Sequence, residues 1–197
     1  MSYMVHIPRR SILVSIASIA AGLAVAACGS GRSSKLAYHA SGMPLWQGNA
    51  LQLFDDNIDA SAVGLSIEGP SPRFDRLLRE RAQTADVVAR VKVSTVTVET
   101  AGDEQRYRLG VQVGQPTLAK ARIDDRTFEL VIRSDSRAFA VARAFDARQR
   151  NMTFVAFITR FASPDGEPEV HWHLSADTRE VADAVKEAVA LGELAGS

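Results

Sequence analysis

The residues in this chain best suited to chemistry are His171 and His173. In an extended segment, positions two apart share a face, so both imidazoles project together while Trp172 between them turns to the core. Two imidazoles on one face could hold zinc or copper if a third ligand joined them, and His39 or a carboxylate such as Glu169 is available for that. The plainer expectation is two solvated histidines on the outer face of an edge strand. Further upstream, Asp55-Asp56-Asn57-Ile58-Asp59 places acids and an amide at positions 1, 3 and 5 of a calcium-loop template. Ala60 then stands where glycine makes the turn, and Ser66 where a bidentate glutamate is needed, so an acidic loop or a helix cap is expected instead. Gly64-Leu65-Ser66-Ile67-Glu68-Gly69 comes near the nucleophile-elbow pattern G-x-S-x-G, but Glu68 replaces the second glycine. The sequence contains no G-x-G-x-x-G, Walker loop or H-E-x-x-H, and so no motif-level support for nucleotide binding or zinc proteolysis.

The elements that must position these residues are legible in part. Ser71 followed by Pro72 reads as an N-cap with proline at the first helical position, and Phe74, Leu77, Leu78, Ala82 and Ala85 recur at helical spacing. The arginines of that helix (Arg73, Arg76, Arg79, Arg81), balanced by Asp75, Glu80 and Asp86, read as a salt-bridged solvent face. Val87, Ala89, Val91 and Val93 alternate as a strand, but the apolar phase then moves to Val96 and Val98. A period of two cannot change face without an extra residue, which predicts a β-bulge near Ser94 and Thr95. A turn at 101–103 leads to a second strand at 107–113, and Phe128, Leu130 and Ile132 mark another, with a shorter piece around 118–123. Ser136 is expected to cap a short helix carrying Phe139, Ala142 and Phe145. Residues 152–161 are apolar on both faces, the signature of a central strand. Val170, Trp172 and Leu174 form the last strand. Asp177 with Glu180 suggests a capping box for a closing amphipathic helix. The expected class is α+β, a small curved antiparallel sheet or a partly closed barrel similar to the OB type, with flanking helices including a C-terminal one.

The 197 residues carry 23 Lys+Arg against 23 Asp+Glu and are 46% hydrophobic. Such a composition excludes disorder throughout, and zero net charge removes the electrostatic case for nucleic acid as a partner. A single cysteine excludes a disulfide framework and a cysteine-rich zinc site.

Residues 1–27 differ from the rest. Arg9 and Arg10 make a positive region with no acid nearby, and 12–27 is an apolar run interrupted by Ser15 and Ser18. That run falls short of the roughly 20 residues that span a bilayer core, and small residues crowd its end, as in a signal peptide. Val25-Ala26-Ala27-Cys28 resembles the lipobox of bacterial lipoproteins: an aliphatic residue, two small ones, then cysteine. The resemblance covers the leader alone. It implies cleavage before Cys28, transfer of a diacylglycerol to its thiol and acylation of the new amino terminus, hence attachment to a membrane through lipid on Cys28. Gly29 after the cysteine implies outer-membrane sorting where the organism has two membranes. Arg9-Arg10-Ser11-Ile12-Leu13 is similar to a twin-arginine export motif, but Val14 stands in place of its lysine, and the ordinary secretory route is expected.

The expected organisation is a signal peptide (1–27), a lipidated terminus with a flexible tether (28–34) and one globular domain (35–197). Without residues 1–27 the chain is net −2, too weakly charged to be held at an anionic surface electrostatically. The expected function is a lipid-anchored, periplasm-facing cell-envelope protein acting as a non-catalytic binding or assembly module for an envelope protein partner, with no cofactor. The alternative is a metal-dependent or hydrolytic envelope enzyme using His171 and His173 with zinc or copper.

Overall fold

A computed structural model describes residues 39, 42–65, 69–114, 118–122 and 124–196. The leader, Cys28 and the tether lie outside the described residues, as do Ser66, Ile67 and Glu68 of the near-elbow motif.

One seven-stranded sheet organises the domain. Its strands are β1 (Asn57–Ile58), β2 (Val87–Ala101), β3 (Glu104–Val113), β4 (Lys120–Ala121), β5 (Thr127–Ile132), β6 (Thr153–Ala162) and β7 (Pro168–Ala176). Their order is β1-β7-β6-β2-β3-β5, with β4 paired to the start of β2. Every pairing is antiparallel except β1 with β7, so the sheet is mixed. It curls as an open half-barrel until β5 approaches β7. Helices α1 (Ala50–Leu53), α2 (Arg76–Thr84), α3 (Ala138–Gln149) and the C-terminal α4 (Arg179–Gly196) complete an α+β fold.

The bulge that the apolar phase shift demands is present: the β2·β3 register slips between Val93 and Thr95. It needs Gly110 opposite. A Cβ on Gly110 would lie 2.2 Å from Thr95 Oγ1, and the Ser94 hydroxyl donates to the Gly110 carbonyl at 2.9 Å. The extra residue bends β2 and strengthens its twist, which is how a short sheet curls.

β6 runs between β2 and β7 and is buried on both faces. One face joins Phe154, Ile158, Trp172 and Leu174 to Leu109 and to Ala142 of α3. The other packs Val155, Phe157 and Phe161 against Leu78 of α2 and Val185 of α4. Period-two alternation along each strand therefore feeds two separate cores.

Three helix starts differ from the sequence expectation. Ser71-Pro72 opens only a 3-10 turn, Pro72–Phe74, and Phe74 is 76% exposed because that turn precedes α2 and does not share its periodicity. The cap of α2 is Asp75, whose carboxylate accepts from the N–H groups of Leu77 and Leu78 at 2.8 and 3.2 Å. Ser136 is not a cap either: its hydroxyl donates to the Arg133 carbonyl. At α4 the cap moves one residue, Thr178 Oγ1 accepting from Val181 N, while Asp177 is drawn away to Arg90 at 2.7 Å.

Candidate functional site: a buried carboxylate–histidine network

Strand β7 presents His171, His173 and Ser175 on one face, opposite Thr159, Phe157 and Val155 of β6. Alternation alone requires this. Burial does not follow from alternation: His171 and His173 are 2% and 1% exposed. The expectation of two solvated imidazoles on an outer face is overturned, because β7 is not an edge along this stretch. Segment 55–59 lies beside it, β1 pairing in parallel with Asn57 opposite His173 and Ile58 opposite Leu174. Asp56 adopts φ +46°, a left-handed conformation that aspartate tolerates better than most residues. Its N–H donates to the Trp172 carbonyl at 2.9 Å while its own Oδ1 accepts from Trp172 N at 3.1 Å.

The acids of this segment thus hold β7, and serve neither a calcium loop nor a helix cap. His173 Nδ1 lies 2.7 Å from Asp55 Oδ1, and His173 Nε2 3.1 Å from Asp59 Oδ1. Carboxylates only accept, so both ring nitrogens must carry protons for both contacts to be attractive, and His173 is an imidazolium. Burial disfavours that charge, yet the bonds to Asp55 and Asp59 outweigh it and raise the pKa of His173 above its ordinary value. Burial also pushes Asp59 upward, but His173, the Ser175 hydroxyl at 2.6 Å and the charge of Arg81 together hold its pKa below the usual 3.8. Asp56 differs: burial dominates and raises its pKa, although His171 Nδ1 donates to its Oδ2 at 2.8 Å.

Arg81 was expected on a solvent face and is instead buried. Its guanidinium donates to the carbonyls of Leu53 and Gln52 at 2.8 and 3.2 Å, and Nη2 stands 4.0 Å from Asp55. The other arginines lie on the surface as expected, but only Arg76 pairs with an expected acid, Glu80; Arg73 pairs with Glu187 of α4, Arg79 donates to the Arg73 carbonyl, and Asp86 accepts from the Arg160 N–H. Trp46 covers the remaining imidazole, stacked on His171 with centroids 3.6 Å apart and its indole N–H donating to the Phe54 carbonyl. Arg81, Ser175 and Trp46 are members of the network that sequence reading missed. Arg81 has one legible signal: it stands three residues after Leu78 on the apolar stripe.

The chemistry open to this arrangement is narrow. Ser175 donates to Asp59, a carboxylate of lowered pKa and so a weak base, and not to an imidazole, so it lacks the histidine base of a nucleophilic serine. His173 has no lone pair to offer a metal while it holds both carboxylates. His171 Nε2 is buried without a hydrogen-bond partner, with Glu169 Oε2 at 3.7 Å. His39, the other third-ligand candidate, lies against Gly166 in the β6–β7 turn. Among the described residues no group of three or more His, Cys, Asp or Glu is arranged to hold a metal ion. An open groove of about 240 Å³ borders the network, lined by Trp46, Asp55, Asp56, Arg133, Ser136 and Arg137 among others.

Comparison with known protein families, curated proteins and solved structures gave no match.

Proposed function

We propose that the protein is a lipid-anchored module of the bacterial cell envelope, facing the periplasm, that binds or assembles with an envelope protein and does not itself catalyse a reaction. The anchor rests on Val25-Ala26-Ala27-Cys28 at the end of the apolar leader. The single observation that supports a non-catalytic domain is the double engagement of His173 by Asp55 and Asp59. Its imidazole is consumed in a buried ion cluster, which ties segment 55–59 to β7 instead of meeting a substrate.

Fatty-acid labelling in a bacterial host tests the anchor. The full chain should incorporate an alkynyl palmitate analogue, and Cys28→Ser should not. Label retained by Cys28→Ser overturns the lipoprotein reading.

A metal-dependent envelope enzyme is the second reading, favoured by a buried imidazole nitrogen without a hydrogen-bond partner, His171 Nε2, with Asp56 behind the ring as carboxylates stand behind zinc-bound histidines. Zinc and copper titration of the full chain at neutral pH separates the two. Submicromolar binding that vanishes in His171→Gln supports the enzyme reading and removes the first.

A further inference from the structure

β2 outruns the sheet that supports it. β6 pairs with it only across 87–92, and Val93 makes the last exchange, bonding to Met152 and Asn151 of the turn before β6. Beyond that point β2 keeps only β3 beside it, which is itself backed by β5 as far as Tyr107, and the two strands run on to a turn at Gly102, φ +63°. Among the described residues nothing pairs with 97–101 on the side away from β3.

The orientation of that edge follows from one bond. The Val96 carbonyl accepts from Arg150 Nη2 at 3.5 Å, so the backbone groups of Val96 point away from β3. By two-residue alternation, those of Val98 and Thr100 point outward too. Exposed edges are ordinarily blunted by lysine, proline or inward charge. Residues 93–101 contain no lysine or proline, and their one charge, Glu99, is engaged by Arg108 at 2.8 Å. Beside the edge lies an open groove of about 340 Å³, lined by Val96, Val98, Ala147 and Arg150, with Val98 43% exposed. The rim is basic. Arg143, Arg148 and Arg150 are exposed, and among the described side chains none of them has an acidic partner; Arg148 lies over Phe145 and Arg150 meets a carbonyl.

We infer that the free edge of β2 beside α3 is a docking site for an extended acidic segment of a partner protein, which adds to the sheet as a further strand. The edge demands an extended backbone that supplies alternating donors and acceptors. The period of two then sends every second side chain into the groove at Val96 and Val98, where apolar residues fit. The arginine rim selects carboxylates beside them. A second copy of this chain fits less well: self-pairing would bring two arginine rims to one joint, and the only acid of the edge is already held by Arg108. The inference deepens the binding-module reading and rests on it, but not on the anchor at Cys28.

The test uses the full chain in non-ionic detergent and a fluorescent nine-residue peptide alternating valine and glutamate, followed by anisotropy. Saturable binding is expected, at least tenfold tighter than for the same peptide with lysine replacing glutamate. Val98→Pro removes one outward N–H, a position where proline is tolerated on an edge, and should weaken binding at least tenfold. Arg150→Glu should do the same, and a thermal melt by circular dichroism shows whether each variant is folded. Should Val98→Pro fail to fold, a peptide N-methylated on alternate backbone amides replaces it, with the same tenfold loss expected. No saturable binding, equal binding of the glutamate and lysine peptides, or variants without effect would overturn the inference. So would self-association of the chain that Val98→Pro abolishes, which assigns the edge to a second copy. Failure here with Cys28 labelling intact removes this surface and leaves the anchored module standing.

Discussion

Trp46 lies flat on His171, ring centroids 3.6 Å apart and planes within 10°, and its indole nitrogen reaches the Phe54 carbonyl. The stack closes the network from outside while Phe161 meets the same imidazole edge-on. Trp46→Ala should therefore cost about 2 kcal/mol, from the lost ring contact and an unpaired carbonyl. It should also raise the rate at which diethyl pyrocarbonate modifies His171, read by peptide mass mapping. An unchanged modification rate would show that something other than Trp46 shields the ring.

Trp172, on the opposite face of β7, is fully buried. Trp172→Ala should cost roughly 3–5 kcal/mol through lost burial and a cavity, measured by chemical denaturation. A change below about 1 kcal/mol would contradict its place in the core.

The ion cluster gives stability a definite pH profile. His173 has a folded-state pKa above the 6.5 of the unfolded chain, so its stabilisation is complete below about pH 6.5 and is lost as pH rises through the raised value. Asp59 is lowered from 3.8, so its contribution is present above that value and lost as pH falls through the lowered one. Asp56, raised by burial, acts in the opposite sense between 3.8 and its raised pKa and makes the acid limb shallow. Urea midpoints should therefore decline from mildly acidic towards alkaline pH. His173→Gln should lower stability by roughly 3–5 kcal/mol at pH 6, as expected when one partner of a buried pair is removed, and should flatten the alkaline decline. Persistence of the full decline in His173→Gln would place the titration elsewhere.

Arg81 and Arg79 stand two residues apart on α2 with opposite surroundings. Arg81→Ala leaves the buried carbonyls of Leu53 and Gln52 without a donor and takes one of the cations from Asp55, and should cost about 3 kcal/mol. Exposed Arg79→Ala should stay within about 0.5 kcal/mol. Equal costs would return Arg81 to the solvent face.

Gly110 and Thr95 form a steric pair at the bulge. Gly110→Ala should destabilise the domain, and Thr95→Ala should relieve part of that cost, because Oγ1 is the atom a new Cβ meets. A double-mutant cycle by urea denaturation should return a coupling of about 0.5 kcal/mol or more. Strict additivity would mean that the backbone, not the hydroxyl, sets the limit.

Local order along the chain determined much of this protein. Alternation fixed β2, β3, β5 and β7, the double-faced run at 152–161 marked β6 as central, and a one-residue phase shift located the bulge. These features are readable because side-chain direction repeats every two residues and depends on no distant partner. The pairing of His171 and His173 on one face, with Trp172 on the other, was legible for the same reason. Their burial was not. Whether a strand lies at an edge depends on what settles beside it, and β1 joins β7 from over a hundred residues away in sequence. Asp55, Asp56 and Asp59 looked like a failed calcium loop because spacing records which acids are near one another, never which cations face them. Arg81 was misjudged similarly, its partners being the carbonyls of Gln52 and Leu53. Caps fell between the two cases: those of α2 and α4 lay within four residues of their expected places, a competing contact of Arg90 on Asp177 passing the second to Thr178, while α3 has no side-chain cap. Only the tertiary structure brought the acids, the histidines and the arginine together, because the free energy of burying charge is set by neighbours that sequence distance does not encode.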